Sequence, residues 1–382
     1  MQRRKFLALA GGGVVLAAGA AAGGFIATRT PTTALAPWSQ TSLYAEPRRR
    51  ALSFAILAPN PHNRQPWRVE LVGEDEVVLH VDTNRVLLHT DPFNRQITIG
   101  LGCFLELLTM AAASDGYRVE TELFPEGEDA GHLDGRPIAR LRFIADATVQ
   151  ADPLFVHALD RRSLKEPYDL ATPVPEAVLS TLRSVGRHGN TIDASGDASH
   201  VAALRELTHR ALDIEIRTPR TYKESVDLFR IGKAEIEANP DGIDFGSPLF
   251  DALALLGQFN RETALDPGSV IYAQGVEAVM ANVDTAMAHV WLVSSGNKRA
   301  DQIAVGRDWL RINLAATASG VGLQPLSQAL QEFPEMADCY AEAHRRLAPD
   351  GGTVQMLARL GYAAPVAPSP RWPLDAKIIA EG

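Results

Sequence analysis

The chain has 382 residues, 46% of them hydrophobic and 22% charged, with a formal net charge of −9. That length is enough to bury a full core in one large domain or two smaller ones. The acidic balance argues against a nucleic-acid binder, which needs a basic face to meet phosphate, and two cysteines, Cys103 and Cys339, are too few for a disulfide framework or a cysteine-rich metal site.

The amino terminus, MQRRKFLALAGGGVVLAAGAAAGGFIA, joins a basic start (Arg3, Arg4, Lys5) to an apolar run ending near Ala27. It reads as a targeting segment and stands apart from the fold. Residues 28–44, rich in Thr, Pro and Ala, read as a linker. A helix is predicted from Pro47 to Leu57 and must stop before Pro59 and Pro61. The alternation of WRVELVG from Trp67 and of EVVLHVD (76–82) predicts a hairpin turning at Gly73–Asp75. Leu101, Phe104, Leu105, Leu108, Ala111 and Ala112 fall on one helical face, with Gly116 as a stop and a strand after it. PIARLRFIA (137–145) is a further strand, and PVPEAVLSTL a helix with proline at its first turn. No other segment is read as long enough to span a bilayer. Cys103 and Cys339 read as buried thiols, with one bridge between them left open.

A similar helix, small-residue terminus, glycine and strand return over 305–330. Pairing Gly100 with Gly306 also pairs Gly116 with Gly322, which suggests an internal duplication. The expected division is a signal at 1–27, a linker at 28–44, one half at 45–150 and another at 151–375. The second half carries a helical insertion around 215–265. Within that insertion, IGKAEIEANPDGIDFGSP (231–248) is long and irregular enough to be a lid.

No HExxH, GxSxG or Walker lysine loop occurs, and Gly100, Gly102, Gly320 and Gly322 read as helix-end glycines rather than a dinucleotide fingerprint. No metal site is expected. Arg161, Arg162, Ser163 and Lys165 place three cations and a hydroxyl within five residues, the donor set that a phosphate dianion requires. LAPNPHNRQPWRVEL (57–71) is a second unusual stretch, too rigid and too polar for an ordinary turn.

RRSLK before a VPE helix, APNPHNRQPW, GVGLQP and the terminal PSPRWP together resemble the FMN-dependent nitroreductase family from about Arg48 to Pro373. Each signature is kept by one half only, which resembles the family's Acg-type branch, a dimer-like monomer with one FMN under a lid. QRRKFL resembles a twin-arginine export signal, implying a periplasmic or membrane-anchored protein. The resemblance implies an α+β fold with antiparallel or mixed sheets flanked by helices. It places Arg161, Arg162, Ser163, Lys165 and Arg371 at the FMN phosphate and ribityl chain. Pro59, Asn60, Asn63 and Gln65 fall along the ring, and Pro325, Leu326 and Ser327 at its N5 edge. His62 reads first as a structural histidine and Trp67 as a packing anchor. The implied activity passes electrons to a small electron-poor acceptor such as a nitroaromatic or a quinone. NAD(P)H is the family's usual donor, but it is scarce outside the cytoplasm. The alternative is a non-catalytic protein that sequesters FMN. Neither nucleic acid nor a stable membrane span beyond the signal is expected, and the chain reads as a monomer or loose homodimer.

Overall fold

The computed structural model describes residues 28–379, so the segment read as an export signal lies outside the described residues. Twelve α-helices and ten strands are present among them. The fold is α+β. The first sheet has the order β1 (Trp67–Val72), β2 (Glu76–Val81), β4 (Ala139–Ala145), β3 (Tyr117–Leu123), all antiparallel. The second has the order β5 (Thr191–Ser195), β8 (Ala288–Ser294), β10 (Thr353–Gly361), β9 (Gly322–Pro325), again antiparallel. A parallel pair, β6 (Phe229–Ile231) and β7 (Ile243–Phe245), forms a third, minor sheet. The predicted hairpin forms with Trp67 opposite Val81.

The short α1 (Thr32–Leu35) and two 3-10 turns occupy the segment read as a linker, so that stretch is ordered. Next comes α2 (Pro47–Ala55), whose Glu46 carboxylate accepts from the Arg48 and Arg49 amides and supplies the start signal. The centre of the molecule is a pair of twenty-residue helices, α3 (Arg95–Ser114) and α11 (Arg299–Ala318). Each lies between the second and third strand of its own sheet in chain order. They cross at glycine. A methyl on Gly306 would stand 1.9 Å from the Ile99 carbonyl oxygen and one on Gly102 2.3 Å from that of Ile303, so only hydrogen fits at either place.

The facing pair is therefore Gly102 with Gly306, two residues off the pairing proposed from sequence, and Gly116 (φ +80) then corresponds to Gly320 (φ +67). Both of these end helices, as glycine at a left-handed position should. Gly100 and Gly102 do not: they lie inside α3. Gly100 has a separate use, since a methyl there would meet the Asn60 side chain at 3.1 Å and Pro61 at 3.3 Å. α3 is apolar and long enough to cross a bilayer, contrary to the sequence reading, yet 83% of its most apolar stretch is buried in this fold. It is a core helix.

Between the two main sheets and within the second come α4 (Glu176–Ser184), α5 (Ala198–Arg217) and α6 (Pro219–Asp227). The insertion continues through α7 (Gly232–Ala238), α8 (Pro248–Leu255), α9 (Arg261–Leu265) and α10 (Val270–Asp284), and α12 (Ala337–Leu347) packs later on β10. Three apolar cores result: a large one around α3 and α11, one under α5 and α12, and a small one of Val226, Ile231, Phe259 and Ala264 belonging to the insertion. Cys103 and Cys339 are free and buried in different cores, so the bridge left open by the sequence is not made.

Candidate cofactor site

Two adjacent arginines, Arg161 and Arg162, come together with a third from far along the chain, Arg371. Arg161 and Arg371 are buried, at 3% and 2% exposure, and Arg162 is half-buried beside them. The Arg162 guanidinium lies 4.7 Å from the centre of the Trp38 ring and that of Arg371 5.4 Å, so Trp38 collects two cations on its π system. Trp38 belongs to the ordered segment read as a linker. Its indole N–H donates to the Ser369 carbonyl at 2.9 Å.

Arg161 and Arg162 are short of acceptors, whereas Arg371 is better supplied, the Pro370 and Ala58 carbonyls at 3.0 and 3.4 Å adding to the partners below. Arg161 Nη2 reaches only the Leu57 carbonyl, at 3.4 Å, while Arg162 Nη1 donates to the carbonyls of Leu159 and Arg161. Arg371 donates to the Leu57 carbonyl at 3.1 Å, to Ser369 Oγ at 2.8 Å and to Asn63 Oδ1. Arg161 Nη1, Arg162 Nε and Arg371 Nε are buried without a partner. None of the three residues forms an ion pair among the described residues. Burial and mutual repulsion push the Arg161 pKa down to about 10 and that of Arg371 down to about 9. Arg161 and Arg371 remain charged at neutral pH. Asp244 of β7 and Asp160 act on Arg371 and Arg162 through space, without an ion pair. Buried charges so thinly compensated are costly unless an anion neutralises them, and unused guanidinium N–H groups suit the oxygens of a phosphate.

The proline-rich loop meets this cluster. His62, Asn63 and Gln65 all have left-handed backbones (φ 46, 50 and 49), a conformation that costs a non-glycine residue energy and persists only where contacts enforce it. The enforcing contacts come from three directions. Asn60 Oδ1 accepts from the Gln65 amide at 2.7 Å, and Gly100 lets Asn60 and Pro61 rest on α3. The carboxyl-terminal tail crosses over to β1, where Val69 pairs with Ile378, and on the way Pro370 accepts from Asn63 Nδ2 at 2.9 Å. Gln65 is fully buried; its Nε2 donates to the Pro240 carbonyl at 2.7 Å and its Oε1 accepts from the Trp372 amide at 2.9 Å.

Gln65 therefore fastens loop, insertion and tail together, and both its polar atoms are spent on the chain. Asn63 is similarly engaged with Arg371 and Pro370. Enclosure, with the charge of Lys165 adding to it, pushes the His62 pKa down to about 4, which keeps the ring neutral.

Lys165 is exposed and Ser163 half-buried. The segment runs beside β9, with the Leu164 amide donating to the Leu323 carbonyl at 2.9 Å. Pro325 ends that strand. Leu326 is buried in the second core and its amide donates to Leu357, so it has no N–H left for a ligand, while Ser327 opens the turn that follows. Arg359, overlooked in the sequence, fixes this corner. It is fully buried, stacks 3.7 Å from the Tyr168 ring centre and donates to Gln324 Oε1 and to the Glu166 carbonyl.

The insertion closes over the loop. The Gly242 amide donates to the Asn63 carbonyl at 3.3 Å, and buried Asp241 pairs with Arg230 at 2.7 Å, with Arg64 at 3.6 Å and with Arg85. Glu224 of α6 accepts from the His89 and Thr90 amides, and Glu237 of α7 from those of Thr33 and Ala34.

The chain is similar to nitroreductase-named proteins. One is a candidate NAD(P)H nitroreductase of Mycobacterium tuberculosis H37Rv, Rv3131, 25% identical over 338 residues, covering 86% of this chain and 89% of that protein. Another, acg of the same strain, is 33% identical over 123 residues, or 32% of this chain, and the match spans only 37% of its own length. A third, Rv3127, has no assigned function and is 25% identical over 342 residues, 86% of this chain and 91% of the relative. No family profile matches. Among solved structures, an FMN-bound nitroreductase of Bacteroides fragilis gives a TM-score of 0.32 at 14% identity, covering 56% of this chain and 91% of that one. NfnB of Mycobacterium smegmatis, solved with NADPH, gives 0.32 at 18% identity, covering 53% and 84%. These structural likenesses are loose.

Proposed function

We propose that the chain binds one FMN between its halves and acts as a nitroreductase-like oxidoreductase. The observation that carries this reading is the group of three desolvated arginines with unpartnered N–H groups, set against a strained loop from the other half. Arg161, Arg162 and Arg371 would hold the phosphate, with Ser163 and Lys165 beside it. Pro59, Asn60 and the backbone around Asn63 would frame the ring, Gln65 acting only through the loop it fastens. Bound there, the flavin would supply electron transfer from a reduced donor such as NAD(P)H to an electron-poor acceptor. The chain's own part is to neutralise the phosphate, hold the loop in place without an ordering cost at binding, and limit access by water.

We read the two halves as copies fused into a dimer-like unit, on the strength of their shared strand order and the matched central helices. The likeness of QRRKFL to a twin-arginine export signal is what supports a periplasmic or membrane-anchored location. A second reading, FMN held without turnover, is favoured by the Asp241 clasp and the Gln65–Pro240 bond, which fasten the insertion over the loop.

Purified protein reconstituted with FMN should retain one flavin per polypeptide. Arg161→Ala should weaken retention by about 1.5–3 kcal/mol, roughly ten- to a hundred-fold, as a charge-assisted contact is lost. Unchanged affinity would move the phosphate elsewhere. Anaerobic NADH or NADPH then separates the readings: bleaching of the flavin supports turnover, and bleaching by dithionite alone supports sequestration.

A further inference from the structure

The insertion presents two helices whose apolar sides are only partly covered: Tyr272, Val276 and Met280 of α10 lean on the second core, and much of the remaining apolar surface is left to solvent. α8 (PLFDALAL) buries only Asp251, and of the fifteen residues of α10 only Val283 is buried. Glu277 is the sole charged residue of α10 before its last position. A helix apolar all round normally lies inside a protein or a membrane. Here Leu249, Leu255, Leu256 and Val270 stand 64–74% exposed. They surround the insertion's small core, to which Phe250, Leu253 and Ala254 of α8 and Ile271 of α10 belong. Large apolar side chains gathered in this way mark a docking face rather than scattered surface residues.

The place where the amino-terminal segment joins the fold identifies the occupant. Thr28 is held by Lys233 of α7, whose Nζ donates to its carbonyl at 3.0 Å, and the Lys233 amide donates to Asp251 of α8. The run from Phe6 to Ala27 before it has no charged residue. At the rise of a helix it is long enough to cross a hydrocarbon layer of about 30 Å. We propose that α8 and the start of α10 form a membrane-facing surface, seated on the phospholipid bilayer that Phe6–Ala27 enters. The leucines would insert at the level of the headgroups as an interfacial helix does, turning the insertion toward the lipid. This inference does not depend on a bound flavin.

The test uses the full-length chain in phospholipid nanodiscs, with a fluorophore on Leu255→Cys or, as a control, on Glu122→Cys of the edge strand β3. Cys103 and Cys339, at 1% and 3% exposure, will not compete for the label. Spin-labelled lipid should quench the label at 255 several-fold more than the label at 122. Equal quenching at both positions would overturn the proposal. So would a label at 255 shielded from lipid and aqueous quenchers alike in particles holding two chains, which would assign the face to a second copy.

Discussion

Arg161, Arg162 and Arg371 show how much of this protein's character rests on single side chains placed against the usual rules. Buried guanidiniums without carboxylate partners weaken a fold, so an anion that binds them should stabilise it by mass action. Inorganic phosphate and FMN should both raise the melting temperature, FMN more, and Arg371→Ala should abolish most of the phosphate effect in a thermal-shift titration. Glu215 is a second such residue. It is buried on α5 against Gln331, whose Nε2 donates to it at 2.6 Å, and burial lifts its pKa to about 7. An acid whose folded pKa is raised binds its proton more tightly in the native state. Its contribution is thus fully present below about pH 4.5 and is lost as pH rises through about 7. Glu215→Gln should therefore gain about 1–3 kcal/mol over the wild type at pH 8 and little at pH 5, read by urea denaturation at both. At this scale the RRSLK cluster was legible because cations and a hydroxyl packed so densely are rare. Trp38 was not, because an aromatic in a Pro/Thr/Ala-rich stretch carries no periodic signal.

Among the elements, the crossing of α3 and α11 sets the geometry. Gly306→Ala would force a methyl into the Ile99 carbonyl, and overpacking of this kind costs about 1–3 kcal/mol or more. The variant should melt well below the wild type, while Gly100→Ala, whose methyl meets Asn60 and Pro61 no closer than 3.1 Å, should loosen flavin binding with a smaller loss of stability. The sequence revealed both helices through their apolar spacing, but not which glycines touch. Close approach of two helices depends on their mutual tilt, which one-dimensional periodicity does not contain. The same limit hid the task of Gln65. Its motif marked the loop as special, but the partners that consume its amide, Pro240 and Trp372, lie far off in the chain.

Across the whole molecule, contacts between distant segments decide the architecture. Strand order repeats in the two sheets, whereas the tail that brings Arg371 to the first half follows no local pattern, so only its terminal motif pointed to it. The insertion has its own small core and is held to the first half by polar contacts, chiefly at Asp241. Asp241→Asn leaves the clustered Arg64, Arg85 and Arg230 poorly compensated. It should free residues 229–245 to hydrogen exchange and proteolysis well before global unfolding, with the two main cores unaffected. A further consequence concerns maturation. The short turns that carry Trp38 are stitched to α7 through Thr33 and Ala34, and Arg371 donates its amide to the Ala34 carbonyl. A peptidase cutting after Ala36 would cast off those stitches together with the signal, whereas one cutting upstream of Thr28 would spare them. Trp38 survives either cut with its bond to Ser369, so the position of a cut would set how firmly the aromatic is held over the arginine corner.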